Sequence, residues 1–147
     1  MRRLIWLFSI LAASPAFGAT SLLECSVHGQ QTDVAGQEKK TLDPATVQVK
    51  VQYEPASLRV EINGPGEYAV TESSTARDGK VVAKAIATDD SFILQTTVQL
   101  PAGTSETAIL IDRQGGAIDV LRDTSTPQAL SETSYSGPCT DRTTSRF

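Results

Sequence analysis

From Thr46 onward the chain alternates apolar and polar residues at period two, in short runs broken by Gly, Pro, Asn and Asp. That period is the signature of a half-buried β-strand and does not suit an amphipathic helix. Thr46 to Tyr53 (TVQVKVQY) sets Val47, Val49, Val51 and Tyr53 on one face and Gln48, Lys50 and Gln52 on the other. Ser57 to Asn63 repeats the pattern with Leu58, Val60 and Ile62 inward, and Asn63-Gly64-Pro65-Gly66 is a turn. Ser91 to Leu100 carries Phe92, Leu94, Val98 and Leu100 on one side, Thr107 to Asp112 is almost continuously apolar, and Ala117 to Asp123 turns Ile118 and Val120 inward.

Weaker strands read as Ser21 to His28, Glu67 to Ser73, Lys80 to Thr88 and Ala129 to Tyr135. Arg77-Asp78-Gly79-Lys80 is a hairpin signal between the second and third of these. In Lys80 to Thr88, Val82, Lys84 and Ile86 alternate with Val81, Ala83, Ala85 and Ala87, and either set suits the interior. Gly29 to Pro44 shows no alternation and reads as a long polar connection, with Lys39-Lys40 at its tip; a Ser/Thr-rich stretch begins at Thr124. The expected fold is all-β and antiparallel, an up-and-down barrel or a barrel-like sandwich of about eight strands.

The N-terminus follows other rules. Met1-Arg2-Arg3 precedes the uncharged run Leu4 to Ala13 (LIWLFSILAA), and small residues follow at Ala16 and Gly18. This is the pattern of a secretory leader, too short to span a bilayer, with cleavage expected after Gly18 and a single domain from Ala19 to Phe147. Loss of residues 1–18 takes two of 13 basic residues and none of 17 acids, so the net charge moves from -4 to -6. An acidic chain without a basic stripe is not expected to bind nucleic acid. The exported domain keeps neither Trp6 nor Met1, which argues against sugar platforms and lipid-facing aromatic girdles, and no membrane insertion is expected after leader removal.

Cys25 and Cys139 are the only thiols and lie 114 residues apart. In an oxidising compartment they are expected to pair, and in the chain-entropy model closing that loop stabilises by about 4 to 5 kcal/mol. With no C-x-x-C and His28 as the only histidine, neither a redox pair nor a metal site is indicated, and no cofactor is expected. His28 sits on the polar side of the first strand and has no G-x-S-x-G serine to serve. The one acid pair worth weighing is Asp112 with Asp119, which flank the Gly115-Gly116 turn and would have to face each other across a hairpin to act as a hydrolase.

Ile109-Leu110-Ile111-Asp112-Arg113-Gln114-Gly115-Gly116, followed by Ser136-Gly137-Pro138-Cys139, resembles the ending of small exported bacterial β-proteins of unknown function, which close with a strand, an Arg-x-x-Gly turn and a G-x-C segment, with an early Cys as partner. The resemblance implies a periplasmic β-domain and transfers no active site. The expected function is a non-enzymatic periplasmic or secreted binding module for a protein or envelope component. Lys39, Lys40 and above all Arg113 are the candidate contact residues; the bland role for Arg113 is a turn residue paired to Asp112 or Asp119. A small-ligand carrier using the barrel interior and a weak carboxylate hydrolase are the alternatives.

Overall fold

A computed structural model describes residues 19–33, 38–55, 57–75 and 81–143. The leader expected over residues 1–18 and the hairpin signal at 77–80 lie outside the described residues. Nine strands follow in order: β1 (Ala19–Asp33), β2 (Glu38–Glu54), β3 (Ser57–Asn63), β4 (Val70–Ser73), β5 (Val81–Ala87), β6 (Ser91–Leu100), β7 (Gly103–Asp112), β8 (Ala117–Ser125) and β9 (Leu130–Asp141). Among the described residues the only helical element is a 3-10 turn, Gly66–Tyr68, which shortens the strand expected from Glu67 to its last four residues.

All nine strands form one sheet in the order β4-β3-β2-β1-β9-β8-β7-β6-β5, and each neighbouring pair is antiparallel. The sheet curls into a nearly closed barrel, with β3 beside β5 and β4 beside β6 across the gap. The first and last strands, β1 and β9, are neighbours, as an up-and-down barrel requires. Cys25 pairs in register with Cys139, and their sulfurs are bonded at 2.05 Å. The interruption in the ring therefore lies between β4 and β5. Directions explain why. Nine strands that alternate around a ring cannot all have antiparallel neighbours, and following the eight ladders shows that β4 and β5 run the same way. Among the described residues they are not ladder partners, and the two rims run parallel to each other across a seam.

The interior has two halves. Cys25, Val27, Val47, Val49, Val51, Leu58, Val60, Ile62, Phe92, Leu94, Ile109, Ile111, Ile118 and Val120 fill one as a continuous apolar core. Towards the end that carries the β6–β7 and β8–β9 turns, the inward side chains become polar. Thr96, Thr107, Arg122, Thr133 and Gln31 share one rung through successive ladders. Across this space, half-buried Glu72 of β4 accepts hydrogen bonds from the buried hydroxyls of Thr96 (2.9 Å) and Thr107 (3.1 Å), tying one rim of the seam to the far wall. Leu100, expected inward, lies at this end and is exposed.

Several strands run further than their apolar pattern. Gly29 to Asp33 pair with Glu38 to Leu42, so most of the supposed polar connection is β1 and β2 continuing as a ladder. Between Val27 and Gly29, β2 uses one extra residue: a bulge that accommodates Pro44, whose missing N–H a regular ladder would need. The Asp43 carbonyl there accepts from the Tyr68 hydroxyl at 2.6 Å. The Tyr135 hydroxyl in turn donates to the Tyr68 carbonyl at 2.8 Å, and burial pushes the Tyr135 phenol well above its ordinary range. At the end of the chain, β9 continues through Ser136-Gly137-Pro138-Cys139. A Cβ at Gly137 would lie 1.8 Å from the Ser26 carbonyl oxygen, so only glycine lets β1 and β9 approach there.

Candidate functional site

The β7–β8 turn is built around Asp112. Its Oδ1 accepts from the backbone N–H of Gln114 and of Gly115, both at 2.9 Å, and Gly116 closes the turn in the left-handed region at φ 64°. Asp112 is thus committed to the turn and does not hold Arg113. Arg113 instead reaches the β5–β6 turn: its backbone N–H donates to the Asp90 carbonyl at 2.8 Å, and its Nη1 donates to the Thr88 carbonyl at 2.8 Å. The guanidinium lies 4.6 Å from the centroid of the Phe92 ring and 6.0 Å from that of Tyr53, while the two rings are 5.1 Å apart. A cation held over two aromatic faces is a positioned group rather than a freely solvated one.

This places Arg113 at the lower mouth of the seam. A cleft of about 620 Å³ opens there, lined on one rim by Tyr53, Glu54, Leu58 and Ser74 and on the other by Ala83, Ala85 and Ala87. The register with β6 settles which face of β5 looks inward, because Ala83, Ala85 and Ala87 stand opposite Thr96, Leu94 and Phe92. Directly opposed residues in an antiparallel ladder share a face. Ala85 and Ala87 are nevertheless exposed, since among the described residues no strand pairs with that edge of β5. The first rim is pinned: the Leu58 N–H donates to the Ser74 hydroxyl at 2.7 Å, and the Ser74 N–H donates to the Leu58 carbonyl at 2.8 Å.

A second, open groove of about 710 Å³ lies on the outer face, where Ile93, Leu110 and Leu121 are flanked by His28, Asp119 and Ser134. His28 is exposed on the outer side, as its position in the alternation implied. Comparison with protein families, curated proteins and solved structures finds no match. The reading of the site therefore rests on geometry.

The remaining sequence-level candidates separate in space. Lys39 and Lys40 are exposed, on a strand rather than at a loop tip, opposite Thr32 and Gln31 in the β1–β2 ladder. They lie at the polar end of the barrel, away from Arg113. Asp112 and Asp119 do not face each other: the ladder sets Asp112 against Ala117 and Asp119 against Leu110, and both acids are exposed. Among the described residues no Asp or Glu is fully buried, and no group of His, Cys, Asp and Glu is arranged to hold a metal ion. The residues missed at sequence level are Phe92, Tyr53 and the Ala row of β5. Nothing local marks Phe92 as an arginine platform, because its partner sits on the turn after the neighbouring strand β7, two residues beyond Ile111, the ladder partner of Phe92.

An acidic row crosses the outer face, where Glu106, Asp123 and Glu132 stand on the same rung of β7, β8 and β9. Like charges directly opposite each other are destabilising, so Asp123→Asn, which removes the middle charge, is expected to raise stability by about 0.2 to 1 kcal/mol. Urea unfolding at low and high salt checks this: the gain should shrink as salt screens the row, and a loss of stability would contradict it.

Proposed function

We propose that the chain is a non-enzymatic binding module exported to the periplasm or beyond, which takes a protein or envelope component at the seam cleft. The observation that carries this reading is the interruption itself. A barrel that closes its chain ends with a ladder and a disulfide leaves its gap between β4 and β5, and there it presents exposed inward-facing alanines and an arginine fixed over two rings. The leader pattern of residues 1–18 and the bonded cysteine pair support an oxidising compartment.

Ala85 is exposed on the inner face of an edge strand and lines the cleft, so Ala85→Arg places a long cationic side chain in it. The mature disulfide-bonded domain, immobilised and washed with envelope extract, is expected to retain a partner that the Ala85→Arg domain does not. Equal retention by both would move the site away from the seam, and retention of nothing by either would remove the binding reading.

A small-ligand carrier is the second reading, favoured by the size of the cleft, which falls within the range of about 300 to 1,000 Å³ usual for ligand pockets. Denaturing the purified domain and analysing the supernatant by mass spectrometry separates the two, because a carrier releases a stoichiometric small molecule.

A further inference from the structure

Among the described residues β5 is ladder-paired on one side only, with β6, and its other edge faces the seam. Edge strands of this kind offer a row of N–H and C=O groups to any extended chain that approaches. Both rims run in the same direction, so a segment running the opposite way is antiparallel to β4 and to β5 at once. The side-chain rows on β5 then define what that segment must carry. On the inner face lie Ala83, Ala85 and Ala87, small enough to leave room above them; on the outer face Lys84 stands exposed at the middle of the strand.

The barrel already contains a ladder of the same design. In β2, Val49-Lys50-Val51 alternates as Ala83-Lys84-Ala85 does in β5, and Glu61 of β3 stands directly opposite Lys50 while Val60 and Ile62 face inward beside Val51 and Val49. Opposite charges at such positions stabilise a pair of strands and like charges destabilise it. The charge also argues against a second copy as the occupant. Two β5 strands paired about a two-fold axis at their centres would set Lys84 against Lys84, the device by which edge lysines block self-association.

We propose that the edge of β5 left unpaired among the described residues receives an extended segment of a partner polypeptide, antiparallel to β5, with apolar side chains over Ala83, Ala85 and Ala87 and a carboxylate opposite Lys84. This rests on the binding reading above and names the chemistry of its partner. The probe is a dye-labelled synthetic peptide with the sequence of β3, Ser57 to Asn63, whose Glu61 supplies the carboxylate.

Three measurements test it on the intact disulfide-bonded domain. The peptide should bind saturably, and the β5 amides should exchange about tenfold or more slowly in its presence. Lys84→Glu should weaken binding about fivefold or more, and a peptide with the Glu61→Lys change should recover it on the Lys84→Glu domain while binding the wild type poorly. Recovery by the swapped pair shows that the altered domain is folded. Binding without protection of β5, or with no effect of either charge change, overturns the strand-addition proposal. So does failure of the peptide to bind a domain that still retains an extract partner in an Ala85-dependent way, although the binding reading then survives. Protection of β5 by self-association of the domain alone would identify a second copy as the occupant and also overturn it.

Discussion

Replacing Cys25 and Cys139 together by alanine is expected to lower the unfolding free energy by about 4 to 5 kcal/mol. The reason lies mainly in the unfolded chain. The bridge joins residues 114 apart, so the oxidised unfolded chain is closed on itself over almost the whole domain and the reduced one is not. In the folded state the same residues remain ladder partners without the bond, and β1 and β9 stay paired from His28 to Asp33. Alanine is the correct replacement because Cys25 is 0% exposed, and serine would bury a hydroxyl without a partner. In urea the midpoint should fall and the slope should rise, since an open unfolded chain exposes more surface. A loss below about 1 kcal/mol would mean that the chain-entropy account fails here.

Phe92→Ala is expected to cost about 3 to 5 kcal/mol, the usual range for emptying a buried aromatic site. Phe92 is 1% exposed and contacts Tyr53 on one side while lying beneath Arg113 on the other. Two losses are therefore combined, and a milder substitution separates them. Phe92→Leu keeps most of the volume and should cost less than about 1.5 kcal/mol, but it leaves no ring for the guanidinium. A double-mutant cycle of Phe92→Leu with Arg113→Met, which removes the cation at similar length, should give a coupling of about 0.5 to 1 kcal/mol, as expected for a cation over an aromatic face near the surface. A coupling near zero would show that the hydrogen bond to the Thr88 carbonyl alone positions Arg113.

Both changes bear on the site as well as on the fold. Loss of the disulfide leaves the seam cleft unchanged in the folded state, so binding there should persist at temperatures where the alanine variant remains folded. Loss of the ring should release Arg113 from the mouth of the cleft, with binding altered even where stability is recovered by milder conditions.

Two strands, β3 and β6, have the bounds that their alternation implies, because each is bracketed by turn residues; β3 faces the apolar half, whereas β6 runs from Phe92 and Leu94 in that half to Thr96 in the polar one. The tail of β1 and the start of β2 were illegible for one reason, which also left β9 readable only as a weak strand over Ala129 to Tyr135. They line or flank the polar half, where Gln31, Lys40 and Thr133 take positions that Val or Leu hold elsewhere, and the period-two contrast vanishes. The face of β5 was undecided because alanine suits either environment, and only its ladder with β6 resolves it. Arg113 was legible as a turn residue. Its aromatic platform was not, since it joins residues 21 and 60 positions distant in sequence, Phe92 and Tyr53.

Local chemistry settled the all-β class, most of the inward set of the apolar strands and the availability of two thiols for one bond, because a period of two and a cysteine count are properties of the chain itself. The order of strands around the barrel, the odd count that forces one parallel seam, and the placement of that seam between β4 and β5 rather than at the chain ends belong to long-range pairing. No local signal encodes how many strands a sheet must contain before it curls on itself. The candidate site exists because of that placement: among the described residues the rims of β4 and β5 are not ladder partners, and Ala85 and Ala87 stay exposed.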